Sequence, residues 1–282
     1  MPNKNQQSAA DIKQLQIYFY KFVSKTIKTK SDMARVIAPF KITGTIDELN
    51  FYIDQNKVNR VREKGKTGVS SEEFKRNPIF EKVKKHSKEF GRAVKYAQGF
   101  RATAYHFFNR AKDGSFAGRA NKLMFEIIEE DATNQHGERT LENGLLSPDT
   151  NKYFEGFEGN KLRPLNNVLK AAWSWEETTS LLTINNFNPK TSIDWPENAQ
   201  QVHLAIARSN WNYTESKFTT HFSEEIILQK EEATTNLQLQ TSIPPSNHLQ
   251  LLYLFIGFST QERKKTKELK RSNNTVTIIW SK

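Results

Sequence analysis

The chain has 282 residues, a formal net charge of +11 at pH 7 and a mean hydropathy of −0.72. It contains no cysteine, which excludes disulfide scaffolds, cysteine-based zinc sites, iron–sulfur clusters and thiol catalysis. The 19 Phe, 8 Tyr and 5 Trp are enough to fill the cores of one large or two ordinary domains. No stretch of the chain has the about 20 apolar residues that a membrane span needs. The N-terminal pattern is not typical of a signal peptide. We therefore expect a cytoplasmic or particle-associated protein.

The positive charge is concentrated in the first half of the chain. Residues 1–32 carry a net charge of +4, residues 33–130 carry +8, and residues 131–282 carry −1. This asymmetry indicates a two-part architecture.

Residues 1–32 form an N-terminal extension with a helical pattern. The apolar-face residues recur at intervals of three and four, and they are Ile12, Leu15, Phe19, Phe22 and Thr26. One interpretation is an amphipathic helix that binds a partner or a membrane surface, and another is a helix packed on its own domain. A third is that the extension is not native and that Met33 is the true start.

The segment from Ile42 to Lys64 predicts short strands. Phe51–Ile53 and Val58–Glu63 flank Asp54–Asn56, a trio typical of turns, so we expect a β-hairpin.

A basic helix is predicted over residues 78–98, followed by helices near 100–112 and 116–128. At 100° per residue one face of the first helix is apolar, and it comprises Ile79, Val83, Phe90, Val94 and Ala97. The apolar faces of all three helices are expected to lie in the core.

The opposite face of the 78–98 helix is a basic stripe. It consists of Lys84, Lys85, Lys88, Arg92 and Lys95. Such a stripe could contact phosphates of a nucleic acid or an acidic partner, or it could be an ordinary solvated face paired with nearby glutamates.

Residues 131–170, rich in Asn, Gly, Glu and Pro, predict a connector, and after Trp173 the apolar period changes to two. Strands are predicted around residues 182–184, 202–206, 218–222, 225–229, 237–243, 251–258 and 276–280. The 251–258 segment is nearly all apolar and is predicted to be a central strand. Seven strands is the number in an immunoglobulin-like sandwich. The predicted fold is therefore α+β: an N-terminal β-hairpin and basic helical bundle over residues 33–130, the connector, and a C-terminal antiparallel immunoglobulin-like β-sandwich over residues 171–282.

A second basic cluster falls between the last two predicted strands. It consists of Arg263, Lys264, Lys265, Lys267, Lys270 and Arg271. This loop could contact nucleic acid or an acidic partner, or it could simply be solvated and blunt aggregation.

The familiar catalytic and cofactor motifs are missing from the sequence. The six histidines form no HExxH pair, and neither a G-x-S-x-G elbow nor a G-x-G-x-x-G loop occurs. Gly65-Lys66-Thr67 is not a phosphate loop, because Arg60 occupies the position of the required first glycine. Adjacent carboxylate pairs such as Glu129-Glu130 point apart on a helix. We expect a non-enzymatic protein without a metal site or cofactor.

The stretch from Met33 onward resembles a family of uncharacterised Bacteroidota proteins. The resemblance rests on the order of short motifs: Gly44-Thr45-Ile46, Phe51-Tyr52, Arg60-x-Arg62-x-Lys64-Gly65, Asn77-Pro78-x-Phe80, Glu89-Phe90-Gly91-Arg92-Ala93, Asp131-Ala132-Thr133, Gly137-x-Arg139, Gly156-Phe157 and Phe255-x-Gly257-Phe258. It covers nearly all of residues 33–282, and it implies no activity.

These patterns favour a structural or interaction protein, such as a component of a phage-like particle or another assembly, that binds a protein partner or itself. The alternative is a nucleic-acid-binding protein that uses the helix at 78–98 and the loop at 263–271.

Overall fold

The structure, a computed structural model, describes residues 34–37, 40–64, 69–245, 247–262 and 265–282. The chain divides into two compact units, one before Lys75 and one from Lys75 to Lys282. The predicted N-terminal helix, the alternative start at Met33 and the Gly65-Lys66-Thr67 loop lie outside the described residues.

The first unit contains a small antiparallel sheet. Its strands, in the order β1-β4-β3-β2, are β1 (Ala34–Arg35), β2 (Gly44–Ile46), β3 (Leu49–Ile53) and β4 (Asn59–Glu63). Asp54 closes the turn between β3 and β4, because one carboxylate oxygen accepts the backbone N–H groups of Asn56 and Val58 at 2.9 and 2.8 Å. The predicted hairpin is confirmed. Helix α1 (Ser71–Arg76) follows, and Ser70 accepts the backbone N–H of Glu73 at its start.

The helices of the second unit occupy mainly its first half. They are α2 (Glu81–Thr103), α3 (Tyr105–Arg110), α4 (Phe116–Glu129), α5 (Leu141–Gly144), α6 (Leu165–Val168) and α7 (Pro189–Ser192). Single 3₁₀ turns occur at Pro78–Phe80, Thr150–Phe154 and Arg271–Asn273. The predicted connector thus contains short helical segments that pack on the neighbouring helices and strands.

The strands of the second unit form two antiparallel sheets. They are β5 (Ser174–Glu176), β6 (Leu181–Phe187), β7 (Gln201–Asn212), β8 (Lys217–Phe222), β9 (Ile226–Gln229), β10 (Thr235–Gln240), β11 (Leu249–Glu262), β12 (Lys265–Glu268) and β13 (Thr275–Ser281). The smaller sheet has the order β10-β6-β5. In the larger sheet β11 and β7 are central, with β12 and β13 beside β11 and with β8 and β9 beside β7.

The larger sheet is buried on both faces. From Leu249 to Phe255 the odd-numbered residues of β11 lie in a core shared with α2, α3 and α4. The even-numbered residues from Leu252 to Phe258 lie in a second core shared with the smaller sheet. Alternate side chains of a strand point to opposite faces, so a strand covered on both sides needs a continuous apolar run. This confirms β11 as the predicted central strand.

The mixed helical and antiparallel β architecture agrees with the predicted class, but the immunoglobulin-like sandwich is not confirmed. Two sheets do face each other across a core, while helices cover the other face of the larger sheet. The structure also contains β5 and β12, which the period-two pattern missed. None of the described helices is long and apolar enough to cross a membrane.

The predicted core face of α2 is wrong near the start of the helix. Ile79, just before α2, is 75% exposed, and Val83 and Phe90 are 52% and 43% exposed. The residues buried on this helix are Glu89, Ala93, Ala97, Phe100 and Thr103. The core-facing side of α2 therefore lies between its apolar and basic stripes. The small side chains of Ala93 and Ala97 on this side allow α2 to pack closely against α4 and the larger sheet.

Candidate functional site

Part of the predicted basic stripe contacts the 137–139 segment of the same chain. Lys88 Nζ lies 2.5 Å from Glu138 Oε1. Arg92 donates to the backbone carbonyls of Gly137 and Arg139 at 2.6 and 3.0 Å. Arg92 therefore holds the 137–139 segment against α2, while the Lys88–Glu138 pair lies at the surface.

The remaining members of the stripe have mixed surroundings. Lys84 Nζ donates to the backbone carbonyl of Lys75 at 2.8 Å. The stem of Lys85 packs against Gly137, where an added Cβ would lie 2.7 Å from Lys85 Cγ. Lys95 is exposed. The stripe is therefore less available to a partner than its sequence pattern indicates.

The second basic cluster is not simply a loop. Lys265 and Lys267 lie on strand β12, whose residues pair with the end of β11. Lys267 forms an ion pair with Glu262 at 2.9 Å. Lys265, Lys270 and Arg271 are exposed, and Arg263 and Lys264 lie outside the described residues. The structure shows no contact that joins these described cations to the α2 stripe.

Another feature lies where β7 ends and β11 begins. A cleft of about 670 Å³ opens there, and we call it the Arg208 cleft. Its lining includes Leu145, Thr178, Tyr213, Asn247, Leu249 and the C-terminal residue Lys282. The volume lies within the range of small-molecule sites.

Arg208 is the buried charge of this cleft and is only 2% exposed. Nε and Nη2 both donate to Gln250 Oε1, at 2.9 and 2.6 Å. Nη1 donates to the backbone carbonyl of Glu177 at 2.9 Å and to Ser180 Oγ at 3.3 Å. Its Cζ lies 5.9 Å from the ring centroid of Trp175 and 5.1 Å from that of Trp280.

The guanidinium of Arg208 has no carboxylate within 4.0 Å among the described residues. The nearest lining carboxylate, that of Glu177, pairs instead with Lys282 Nζ at 2.5 Å. Burial lowers the pKa of Arg208, and the charge of Glu177 partly opposes that shift. An arginine stays charged in proteins, so the cleft contains a fixed cation that is shielded from water.

A second polar network lies at the other end of β7 and β11, away from the Arg208 cleft. His203 Nδ1 lies 2.5 Å from Glu225 Oε1, and His203 Nε2 lies 2.7 Å from Ser259 Oγ. Arg110 binds both oxygens of Glu225, at 2.7 and 3.0 Å. Burial acts to raise the pKa of Glu225, but the hydrogen bonds from His203 and Arg110 lower it to about 2.

This network has the order of a nucleophile, a base and an orienting carboxylate. However, Ser259 is 0% exposed, and its hydroxyl also donates to Gln201 Oε1 at 2.9 Å. A substrate carbonyl would have no route to this oxygen. The arrangement is therefore suited to holding β7, β9 and β11 together at this end of the strands.

No group of three or more His, Asp or Glu side chains in the described part of the chain could hold a metal ion. Comparison with protein-family models, with curated proteins and with solved structures finds no match. The resemblance to the uncharacterised Bacteroidota family stays a prediction.

The sequence analysis missed Arg208, although a signal for it exists. Val202, Leu204 and Ile206 alternate inward along β7, and Arg208 occupies the next inward position. Gln250 interrupts the apolar run of β11 in the same way. Polar residues at core positions need hydrogen-bond partners, and here Arg208 and Gln250 bind each other.

Proposed function

We propose that this chain is a non-enzymatic interaction protein that binds its ligand in the Arg208 cleft. The observation that carries this proposal is a preformed cleft whose buried cation lacks a carboxylate partner. A buried charge is costly, and proteins usually pair it. A cleft that keeps such a charge in place is organised to receive the countercharge from outside.

The walls of the cleft are fixed by elements that are themselves well packed. Leu145 follows α5 and packs against the helical core, and Leu249 begins the central strand β11. The two tryptophan rings and four hydrogen bonds restrain Arg208. A ligand would therefore lose little binding energy to ordering the site.

The complete burial of Ser259 supports the proposal that the protein is not an enzyme. If this serine were a working nucleophile, a small fluorophosphonate probe would label it. We expect no labelling of the folded protein at Ser259. Labelling that is lost in Ser259→Ala would contradict the proposal.

The nucleic-acid alternative has weaker support. Lys88 and Arg92, at the centre of the predicted stripe, are engaged by residues 137–139. Non-specific nucleic-acid binding depends on many free cations and weakens steeply with salt. We expect only weak binding of labelled DNA or RNA at moderate salt, measured by fluorescence anisotropy. Assembly into a particle stays a prediction.

The proposed site can be tested by equilibrium dialysis against a mixture of small organic acids, amines, neutral compounds and short peptides, with mass spectrometry of the retained compounds. Thr178→Trp would fill the cleft from an exposed lining position. Thr179→Trp is the matched control, because Thr179 is exposed but does not line the cleft.

We expect at least one class of compound to be retained by the wild-type protein and by Thr179→Trp, and at least tenfold less by Thr178→Trp. If nothing is retained, or if both tryptophan variants retain the compounds equally, the cleft is not the binding site.

A further inference from the structure

The hydrogen bonds around Arg208 determine which groups the cleft offers to a ligand. A guanidinium has five N–H donors and no acceptor, so the Gln250 side chain must turn its oxygen toward Arg208. The amino group of Gln250 is then left without a described protein partner. Four of the five donors of Arg208 are used, and one N–H on Nη2 remains.

Asn247 is the second side-chain amide of the cleft whose oxygen is bound by a protein donor and whose amino group is left over. The backbone N–H of His248 donates to Asn210 Oδ1 at 3.1 Å, which fixes the orientation of Asn210. Asn210 Nδ2 consequently donates to Asn247 Oδ1 at 3.0 Å. The oxygen of Asn247 is occupied, and its amino group remains.

The charges of the lining residues have the same bias. The side chains of Glu177 and Lys282 pair with each other, whereas Arg208 has no carboxylate within 4.0 Å among the described residues. The amide oxygens of Gln250 and Asn247 already have donors, whereas the amino groups of both side chains and one N–H of Arg208 are unused. These unused donors near a buried cation suit an anionic ligand.

The cleft also has an apolar wall. Leu145 and Leu249 line it, and Ile243 is a 48% exposed apolar side chain that also lines it. Burial of apolar ligand surface here would contribute roughly in proportion to the area removed from water.

From these observations we infer that the ligand is an organic carboxylate with an adjoining apolar group. The carboxylate accepts from the amino groups of Gln250 and Asn247 near the buried charge of Arg208, and the apolar group contacts Leu145, Ile243 and Leu249. This inference rests on the proposed function, because it names the ligand class of the same cleft. The carboxylate can belong to a free acid or to the C-terminus of a peptide.

The test compares probes that differ only in the charged group. Octanoate and octanamide have the same chain, and a short peptide ending in leucine can carry a free or an amidated C-terminus. Intrinsic fluorescence reports binding, because Trp175 and Trp280 flank Arg208. We expect each carboxylate to bind at least tenfold more tightly than its matched amide.

The position of the charge is tested at Ile243, since an exposed side chain can be replaced without disturbing the core. Ile243→Glu places a negative charge beside the cleft, and Ile243→Lys is its matched control of opposite sign. We expect Ile243→Glu to weaken octanoate binding at least tenfold relative to Ile243→Lys. Equal binding by the two variants would overturn the inference.

The possible failures are distinguishable. If octanamide binds as tightly as octanoate and Thr178→Trp abolishes both, the cleft is a binding site but the carboxylate assignment is wrong. If Thr178→Trp leaves all binding unchanged, the proposed function itself fails. Absence of binding by octanoate and by the free-acid peptide, with other compounds retained in the cleft, also overturns the carboxylate inference. Tighter binding of the peptide or of octanoate assigns the source of the carboxylate.

Discussion

At the scale of single residues, Glu89 is a charged carboxylate whose side chain is fully buried on α2. Arg139 Nε and Nη2 donate to its two oxygens at 2.8 and 2.7 Å, and the backbone N–H of Gly137 donates to it at 2.7 Å. Burial acts to raise the pKa of Glu89, but these donors together lower it to about 2. Its charged form is therefore favoured by the folded state.

A pKa below the ordinary value of 4.5 stabilises the protein above that pH, and the stabilisation is lost as the pH falls from 4.5 toward 2. We expect Glu89→Gln to lower the free energy of unfolding by about 3 kcal/mol at pH 7 and by much less at pH 2.5. Urea denaturation at several pH values measures this difference. The control is Glu126→Gln, in an exposed pair with Lys122, which should change stability by about 0.5 kcal/mol or less. A deficit in Glu89→Gln that does not vary with pH would contradict the assignment.

Asp131 is a second buried carboxylate, and its main hydrogen-bond partners are backbone N–H groups. Its oxygens accept backbone N–H groups from Thr133, Asn134 and Thr140 at 2.8 to 2.9 Å. Burial opposes ionisation, but these hydrogen bonds and that of the Asn134 side chain hold the pKa of Asp131 below its usual range. The carboxylate organises the turn that leads from α4 to α5.

At the scale of elements, helix α2 illustrates the limit of periodicity as a guide to burial. A 3.6-residue period predicts an apolar face correctly only when one neighbour covers that face. Here α4, the larger sheet and the 137–139 segment together contact α2 along a side that includes Glu89 and the alanines. The apolar stripe at Ile79, Val83 and Phe90 is consequently left exposed.

The same packing divides the basic stripe into structural and surface cations. Arg92→Ala removes donors from two backbone carbonyls, so we expect it to destabilise the fold by about 1–3 kcal/mol. Lys95→Ala removes an exposed side chain, and it should change stability by about 0.5 kcal/mol or less. Chemical denaturation of the two variants makes the comparison. Equal effects would mean that Arg92 does not hold the 137–139 segment.

At the scale of the whole molecule, the helices belong with the sheets. Both cores consist of residues from Ala93 onward, and one of them joins α2, α3 and α4 to the larger sheet. The structure divides the chain at Lys75, and the predicted domains at 33–130, 131–170 and 171–282 stay predictions. A difference in net charge between parts of the chain reflects their surface residues. The limits of a hydrophobic core need not coincide with that difference.

This division predicts that residues 75–282 fold without the preceding segment. We expect cooperative urea unfolding and a near-UV circular dichroism spectrum like that of the full chain, because all five tryptophans lie within 75–282. The full chain under the same conditions is the control. A gradual transition, or a lost aromatic signal, would show that the unit at 75–282 depends on the first part of the chain.

The sequence by itself determined the hairpin, the helices of the first half, most strands of the second half and the central position of β11. These depend on turn chemistry and on hydrophobic period, which are local properties. Only the tertiary structure decided which face of α2 is buried, that Lys88 and Arg92 contact the 137–139 segment, and that Arg208, Gln250 and Asn247 meet at one cleft. Such contacts join residues far apart in the chain, and their partners are selected by packing and by the need to satisfy buried polar groups.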